Sequence, residues 1–405
     1  MSEVREVGIA ASRHLSALKK MEHAKTIENC RFCGSPQKTM YLNLGEMPLV
    51  NNLLSSPDEE VEKYPLRVFL CHDCGMSFID CVVDPEYLFR TYCYRSGMSG
   101  TFVRHCRELA RQIDAKGRFV IEIASNDGTF LRQITKSRRL GIEPAQNLAE
   151  LSQEEGITVI PEFFTAETAE KVLKEYGWAD YIVAMNVFAH VHDVTGFISN
   201  AKKLLKKEGV LIIEAPWVRD TVNNNDSGQI YHEHLSYISI RGMKKFLRRM
   251  DMSIYQIKYF PDMHGGSLRF YLKQGEQQKI DVGLDDGIIC YDTYQQRIDR
   301  VRDDLSAYLK DEKIVGVGAA AKGCILCNYC HLENNVLAIY DNTPEKWGKY
   351  QPGTKIPILP QEEISSVRER ILILPHNFKN EIRRNIRKLN PQARFIVAVP
   401  TIEEL

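Results

Sequence analysis

Two Cys-x-x-Cys pairs near the N-terminus constrain the fold of this 405-residue chain more than any other feature. The first pair is Cys30 and Cys33, the second is Cys71 and Cys74, and each is followed by a glycine that permits a tight turn. Each turn directs two thiolates to one point, so the two pairs supply the four sulfur ligands typical of a tetrahedral zinc site. Four thiolates leave no open position. We therefore expect a structural zinc, with His72 at the surface rather than among the ligands.

A second group of cysteines, Cys324, Cys327 and Cys330, has similar spacing but leads to a different prediction. These residues follow a glycine-rich turn in a pattern typical of a helix, where positions three apart drift around one face. A reduced cysteine in such a place behaves as a small apolar residue. We therefore expect packing rather than an iron–sulfur site. Eleven cysteines in a chain with no export signal are typical of a reducing cytoplasm.

The composition argues against several classes of function. Acidic and basic side chains number 53 each, so no global field attracts nucleic acid or an anionic membrane. No apolar run reaches the roughly 20 residues needed to span a bilayer. The segment Met1 to Lys25 is polar and mixed in charge, unlike a secretory signal. We expect a soluble, cytoplasmic protein that binds neither nucleic acid nor membrane.

Three segments differ in their patterns. The first, about Glu28 to Val82, has short extended runs and the paired cysteines. In the second and third, apolar runs alternate with helical stretches, which predicts an α/β fold with parallel, doubly wound sheets. A charged stretch, Tyr291–Asp311, reads as a long helix between them. The predicted strands are Arg118–Ala124, Leu140–Glu143, Tyr181–Asn186, Gly209–Ala215, Ile314–Val317, Val336–Tyr340, Arg370–Leu374 and Phe395–Ala398.

The segment Phe119–Leu131 has the pattern of a strand, a short polar turn and the start of a helix. Small residues at Ala124 and Gly128 permit a ligand to approach the backbone. The next strand ends at Glu143, where a carboxylate can accept both hydroxyls of a ribose. This is the arrangement of the first motif of class I methyltransferases, although Ser-Asn-Asp replaces the usual third glycine, and an ordinary strand-to-helix turn is the alternative.

A turn rich in carboxylates suits the cationic S-adenosylmethionine, whereas a pyrophosphate prefers a glycine-rich turn of bare amides. Phe163 is a candidate to stack on adenine, or else a core residue. The residues predicted to bind the cofactor are Glu122, Ala124, Ser125, Asn126, Asp127, Gly128, Glu143, Pro144, Phe163 and Asn186.

The densest cluster of proton-transfer groups is Tyr231-His-Glu-His234. A metal site is one interpretation, since histidine and glutamate are ligands, but a helical HExxH pattern is absent. A base beside a carboxylate and a phenol is a better match to proton abstraction next to a carbonyl. His190 follows the strand that should end beside the cofactor, and it is either a structural histidine or part of the same site.

Together these motifs resemble those of the sugar C-methyltransferases of deoxysugar biosynthesis, in order and along nearly the whole chain. The motifs that carry the resemblance are the paired cysteines, Tyr92–Ser99, Glu122–Gly128, Asn186–His190, Tyr231–Ser236, His264–Arg269 and Gly316–Gly323. The resemblance implies a zinc-binding domain (1–85), a class I methyltransferase Rossmann-like domain (86–310) and a C-terminal Rossmann-like domain that helps to hold a nucleotide sugar (311–405).

The resemblance also implies catalytic roles for Tyr94, His190, Tyr231, Glu233 and His234. His234 takes the place of the general base, and we expect Glu233 and Tyr231 to orient it. The implied reaction is methyl transfer from S-adenosylmethionine to C-3 of a dTDP-linked 4-keto-6-deoxy sugar.

Two other functions stay open at this point. One is a nucleotide-sugar-binding protein without catalysis. The other is NAD-dependent oxidoreduction of a nucleotide sugar, which the Gly316-x-Gly318 turn favours, although Ala321 stands where a third glycine would be.

Overall fold

The computed structural model describes residues 23–275 and 283–405, so the polar segment Met1 to Lys25 lies mostly outside it. The chain begins with an antiparallel unit, called here the N-terminal module (24–83). Its strand β1 (Ala24–Thr26) pairs with β5 (Cys81–Val83). Its main sheet has four strands, in the order β11 (Ser236–Tyr237), β4 (Ser77–Ile79), β3 (Lys63–Cys71) and β2 (Lys38–Pro48). Strand β11 comes from the middle of the chain, so a distant segment completes the module.

The central sheet has seven strands in the order β12-β13-β10-β9-β6-β7-β8. Five of them run parallel: the four strands predicted from the sequence and β8, which was not predicted. Strands β12 and β13, also not predicted, add an antiparallel hairpin at one edge. All five residues of β6 are buried, as expected for a strand covered on both faces. The strands are β6 (Phe119–Ile123), β7 (Arg138–Ile142), β8 (Val159–Ile160), β9 (Ala179–Met185), β10 (Leu205–Pro216), β12 (Met252–Phe260) and β13 (Ser267–Gln274).

Helices pack on the central sheet, and side-chain caps mark where several of them begin. Thr165 accepts a hydrogen bond from the amide of Thr168, and Asp193 accepts one from Gly196, as is typical of N-caps. The helices are α1 (Pro85–Phe89), α2 (Gly100–Ile113), α3 (Gln146–Glu154), α4 (Ala166–Tyr176), α5 (Val194–Leu204), α6 (Val218–Asn223) and α7 (Ile240–Arg249).

The third part of the chain has its own six-stranded sheet, in the order β16-β15-β14-β17-β18-β19. All neighbouring strands are parallel except the last pair. The predicted connecting helix is present as α8 (Tyr294–Leu309). The other elements are β14 (Ile314–Val317), α9 (Ala321–Tyr329), β15 (Val336–Asp341), β16 (Ile358–Pro360), β17 (Ile371–Ile373), α10 (Lys379–Leu389), β18 (Phe395–Val397) and β19 (Glu403–Glu404).

The three C-terminal cysteines lie on or directly after α9, and all three are buried. The Cys324 thiol donates to the carbonyl of Pro352. Within the described ranges, the four N-terminal cysteines alone group closely enough to hold a metal. The prediction that the C-terminal cysteines pack as small apolar residues is confirmed.

A charged network is buried inside the central sheet. Arg269 Nε donates to Glu214 at 2.6 Å, and His105 Nε2 lies 2.7 Å from the same carboxylate. Glu214 and Arg269 are almost completely excluded from solvent, so each charge needs the other. Arg269 therefore pairs with an acid. Over the described ranges, no helix combines the length and apolar character needed to cross a bilayer.

Candidate active site

The four N-terminal cysteines form a site that fits zinc. The Sγ atoms of Cys30 and Cys74 are 3.6 Å apart, those of Cys33 and Cys71 are 3.5 Å apart, and all four lie within 4.8 Å of one another. Zn–S bonds of about 2.3 Å in a tetrahedron place sulfurs about 3.8 Å apart, whereas a disulfide needs about 2.0 Å. The set is closed, so zinc at this site stabilises the fold.

The turns that hold these cysteines are the ones the sequence predicts. Gly34 donates to the carbonyl of Cys30, Gly75 donates to that of Cys71, and both glycines have a positive φ of 75° to 78°. His72 is exposed and its Nε2 lies 2.8 Å from the Thr39 hydroxyl. It is a surface residue, as expected.

A cavity of about 740 Å³ lies where the three parts of the chain meet. It opens beside the carboxyl ends of the central parallel strands, the usual position for a ligand in such sheets. Two sets of lining residues differ in chemistry. The cofactor wall consists of Ala124, Asn126, Glu143, Pro144, Phe163 and Asn186, and the base wall consists of Tyr94, His190, Tyr231 and His234.

Three residues of the cofactor wall have a strained backbone. Ala124, Asn126 and Asn186 all have left-handed φ values between 51° and 56°, which non-glycine residues rarely adopt. These residues directly follow β6 and β9. Such conformations persist where the surrounding structure enforces them, and they cluster at ligand sites.

Glu143, which follows β7, is placed to receive a ligand with hydroxyl groups. Its Oε2 accepts a hydrogen bond from the backbone amide of Asn126 at 2.7 Å, and its Oε1 accepts one from the backbone amide of Ala145 at 2.8 Å. Each oxygen keeps a second lone pair for a ribose hydroxyl. Burial raises the pKa of Glu143 to about 7.

Three carboxyl groups, Glu122, Asp127 and Glu143, are buried together behind and within this wall. Burial, and then the proximity of Asp127 and Glu143, raises the pKa of Glu122 well above its ordinary value, and its Oε2 has no hydrogen-bond partner. Arg132, 3.9 Å from Asp127, offsets this repulsion only in part. The cluster therefore fits a cationic ligand, and S-adenosylmethionine carries both a sulfonium and an ammonium group.

Four of the predicted cofactor residues support the wall from behind instead of lining the cavity: Glu122, Ser125, Asp127 and Gly128. Asp127 accepts from the amide of Gly97 at 3.0 Å and from the Thr129 hydroxyl at 2.6 Å. Gly128 has φ of 75°, and a Cβ there would lie 2.6 Å from Ile157. These residues fix the loop that carries Ala124 and Asn126.

His234 lies in the base wall with both ring nitrogens engaged. Its Nδ1 is 2.8 Å from the carbonyl oxygen of Gln229, which can only accept, so Nδ1 carries the proton. Its Nε2 therefore presents a lone pair, which accepts from the Tyr231 hydroxyl at 2.7 Å. Burial, and then His190, lowers the pKa of His234 well below its usual value, so the ring is neutral at pH 7.

His190 lies against His234, with ring centroids 4.8 Å apart and the planes nearly perpendicular. Burial lowers the pKa of His190 to about 4, and its Nδ1 has no hydrogen-bond partner. His190 therefore lies in the cavity wall beside His234 and not in an isolated core position.

Tyr94 also lines the cavity, on a segment fastened to the cofactor loop. Its carbonyl oxygen accepts from the Asn126 side chain at 3.1 Å, and the Asn126 Oδ1 accepts from the amide of Ser96 at 2.9 Å. The cofactor loop and the tyrosine motif therefore hold each other in place.

Glu233 was expected to orient His234, but its carboxylate is hydrogen-bonded to other residues and not to the His234 ring. Its Oε1 accepts a hydrogen bond from the side-chain amide of Asn51 at 2.7 Å, and its Oε2 accepts one from the Tyr92 hydroxyl at 2.6 Å. The side chain therefore turns towards the N-terminal module. Tyr231, as expected, contacts the His234 ring directly.

The sequence analysis missed four residues around the cavity. Tyr92 and Lys322 stood inside quoted motifs without an assigned role, and Lys322 proves to line the cavity while pairing with Asp226. Gln229, whose carbonyl sets the tautomer of His234, precedes the histidine motif. Asn51 carried no signal, because its partner Glu233 is 182 residues away.

Phe163, the candidate to stack on adenine, lines the cavity, with the Arg90 guanidinium 4.9 Å from its ring centroid. The neighbouring Phe164 packs on Phe197. In the C-terminal domain, Gly318 has φ of 87° and abuts Pro375, where a Cβ would approach within 2.7 Å.

Three protein-family models match consecutive segments of the chain. Residues 30–89 match a "Putative zinc binding domain", residues 94–257 a "Methyltransferase domain", and residues 262–400 a "C-methyltransferase C-terminal domain". The C-methyltransferase NovU of Streptomyces niveus is 29% identical, with 93% of this chain and 96% of that protein covered.

Solved methyltransferase structures are similar to part of the chain only. Magnesium protoporphyrin IX methyltransferase of Synechocystis PCC 6803, with bound SAM, is 12% identical over 43% of this chain and 79% of its own, with a TM-score of 0.33. The cyclopropane synthase MmaA2 of Mycobacterium tuberculosis is 12% identical over 46% of this chain and 92% of its own, with a TM-score of 0.35. Likenesses of this size assign neither a ligand nor a reaction.

Proposed function

The chain belongs to the C-methyltransferase family, with zinc and S-adenosylmethionine as its cofactors, and from this premise we propose that the methyl acceptor is a carbon next to a ketone in a nucleotide-linked sugar. The specific acceptor proposed is C-3 of a dTDP-linked 4-keto-6-deoxy sugar. The observation that carries this proposal is the neutral His234, whose Nε2 lone pair lies in the wall of the cavity.

Methylation at carbon requires a carbon nucleophile, which a C–H group next to a ketone provides once it loses a proton. His234 meets this need because the Gln229 carbonyl fixes its proton on Nδ1 and leaves Nε2 to accept another. Its lowered pKa keeps it unprotonated across the physiological range.

Tyr231 occupies the Nε2 lone pair before the substrate binds, so that hydrogen bond must be exchanged. A ketone permits the exchange, because its oxygen is only two bonds away from the carbon that carries the acidic hydrogen. Nε2 takes the proton from carbon, and the Tyr231 hydroxyl then donates to the ketone oxygen, where the negative charge of the enolate develops.

His190 and Tyr94 line the same region and are further donors to that oxygen. A preorganised donor of this kind contributes about 10²–10³-fold in rate. S-adenosylmethionine supplies an electrophilic methyl group when bound. Glu143 would accept hydrogen bonds from its ribose, and the carboxyl groups behind the cofactor wall would favour its positive charge. The closed zinc site takes no part in the step.

The C-terminal domain supports a nucleotide-linked substrate by completing the cavity. It contributes Lys322 and Lys346, and the Lys346 ammonium donates to the carbonyl of Ala319 at 2.7 Å. Lys322 is paired with Asp226, and Lys346 Nζ lies 3.7 Å from Asp341, so both ammonium groups are held at the cavity wall, where they can donate to an anionic substrate such as a nucleoside diphosphate sugar. The thymidine carrier is proposed from the family resemblance.

The test is incubation of the protein with S-adenosylmethionine and a dTDP-linked 4-keto-6-deoxy hexose. We expect one added methyl group, bonded to C-3 by NMR, and no product from the matched sugar that has a 4-hydroxyl in place of the ketone. A methyl group on oxygen, or equal reaction of the 4-hydroxyl sugar, would refute the proposal. A bound nicotinamide spectrum would instead revive oxidoreduction.

A further inference from the structure

The segment that carries the base, residues 231–237, is called here the base segment, and its end is part of the sheet of the N-terminal module. Strand β11 directly follows His234 and Leu235, and it pairs with β4 through Ser236–Phe78 and Tyr237–Ser77. The amide of Ile79 also donates to the carbonyl of Leu235 at 3.2 Å. One end of the base segment is therefore fixed by the zinc-binding part of the chain.

The zinc turns themselves contact the chain that follows. The Ser239 hydroxyl donates to the carbonyl of Gly75 at 2.8 Å, the Lys245 ammonium donates to that of Asp73, and Arg249 donates to that of Phe32. All three acceptors lie in or beside the two cysteine turns. The zinc site therefore shapes the surface on which the base segment rests.

A second connection reaches the base segment from its other side. Asn51 lies in the loop after β2 and donates from its amide nitrogen to Glu233 at 2.7 Å. Its Oδ1 lies 3.6 Å from the Cys93 thiol, which directs the nitrogen towards the carboxylate. The Tyr92 hydroxyl donates to the other oxygen of Glu233, so both oxygens are held.

Glu233 sits inside the turn that brings the base and its partner together. The amide of His234 donates to the carbonyl of Tyr231 at 2.9 Å, closing a turn in which Glu233 is the residue before the base. Holding the Glu233 side chain therefore limits rotation of that turn. Reacting groups need placement within about 0.5 Å, so a looser turn costs rate.

We propose that Asn51 is a positioning residue, through which the N-terminal module holds Glu233 and thereby orients the Tyr231–His234 pair for proton abstraction. This inference rests on the proposed function. It gives the zinc-binding module a role in the chemistry without placing the metal near the reacting atoms. The module supplies a fixed amide to the catalytic turn.

The hydrogen bonds from Asn51 and Tyr92 to Glu233 are strongest when this carboxyl group is ionised, so the proposal predicts that turnover depends on pH. Two donors favour the ionised carboxylate, while burial opposes it and raises its pKa to about 7. The other titratable groups around it are Tyr92, Tyr231 and Cys93, and burial raises the pKa of each. These groups stay neutral between pH 6 and 8, as do His190 and His234.

Replacement of Asn51 by the similarly sized leucine tests the inference. Asn51→Leu removes one donor, so the pKa of Glu233 should rise and the acid limb of kcat/KM should move to higher pH. We expect kcat to fall about 10-fold or more. The Kd for S-adenosylmethionine and the zinc content should stay within twofold of the wild-type values. Asn52→Leu, at the exposed neighbouring residue, is the matched control and should leave the pH profile unchanged.

A second variant covers the case in which Asn51→Leu does not fold. Asn51→Asp has nearly the same shape but places a second carboxyl group beside Glu233, so the acid limb should move further than in the leucine variant. If both folded variants keep the wild-type kcat and the wild-type pH profile, Asn51 is not a positioning residue. If the wild-type protein itself does not methylate the keto sugar, the proposed function falls, and this inference with it.

Discussion

The cofactor wall and the base wall face one cavity but solve opposite electrostatic problems. In and behind the cofactor wall, the carboxyl groups of Glu122, Asp127 and Glu143 are buried close together, which raises the pKa of Glu122, and a bound cation would favour their ionised forms. In the base wall, burial removes the charge from His190 and His234, so the imidazoles are neutral and can accept protons. Burial of titratable groups thus favours a cationic ligand on one side and keeps the imidazoles unprotonated on the other. Changes to the two walls should therefore separate cofactor binding from turnover.

The largest effect is expected at the base wall. His234→Asn retains a polar group but loses the basic lone pair, so kcat should fall by about 10²–10⁴-fold. The Kd for S-adenosylmethionine, measured by calorimetry, should remain within twofold. His72→Asn, at an exposed histidine, is the matched control. Near-normal turnover by the His234 variant would remove it as the base.

The next effect is expected at the cofactor wall. Glu143→Gln keeps an acceptor but loses the charge and one backbone hydrogen bond, so the Kd for S-adenosylmethionine should rise about 10- to 100-fold. Turnover at saturating cofactor should change much less. Glu154→Gln on exposed α3 is the control. A variant whose kcat collapses while its Kd holds would break the contrast between the walls.

A smaller effect should appear as protons released on binding. A cation beside Glu143 favours its ionised form, so binding lowers a pKa that is about 7 in the free protein. About half a proton should then leave at pH 7, and affinity should increase as pH rises from 6 to 8. Calorimetry in two buffers of different ionisation enthalpy measures this number. Proton uptake would contradict the assignment.

The smallest effect is expected from Asp127→Asn, behind the cofactor wall. This carboxyl group holds Gly97 and Thr129 and does not line the cavity, so its amide keeps part of the network. We expect kcat and cofactor affinity each to fall about fivefold. A much larger loss of affinity alone would show that Asp127 binds the cofactor directly.

The sequence predicts local features well, because these depend on neighbouring residues. The cysteine turns, the buried strands such as β6 and the connecting helix α8 agree with the structure to within a few residues. The different roles of the two cysteine groups could also be predicted from the sequence. Turns followed by glycine bring the thiolates of the N-terminal group together, whereas a helix places those of the C-terminal group at different positions around its axis.

Features that join distant segments could not be predicted in this way. The short strand β11 has only two residues and becomes a strand because β4 is available to pair with it. Glu233 was expected to orient His234, yet its oxygens accept hydrogen bonds from Asn51 and Tyr92, which are distant in the sequence. The antiparallel hairpin β12–β13 was likewise missed, because polar residues such as Gln256 and Arg269 interrupt the apolar runs of its two strands. The domain boundaries at residues 85 and 310 stay predictions.

The central claim is that His234 removes a proton from the carbon that is methylated. It is tested most directly in heavy water, with the demethylated cofactor S-adenosylhomocysteine bound so that no methyl transfer follows. The account predicts that the wild-type protein exchanges the C-3 hydrogen of the dTDP-linked 4-keto sugar faster than the protein-free control, and that His234→Asn does not. Exchange by His234→Asn at the wild-type rate, or label entering another carbon, would contradict it.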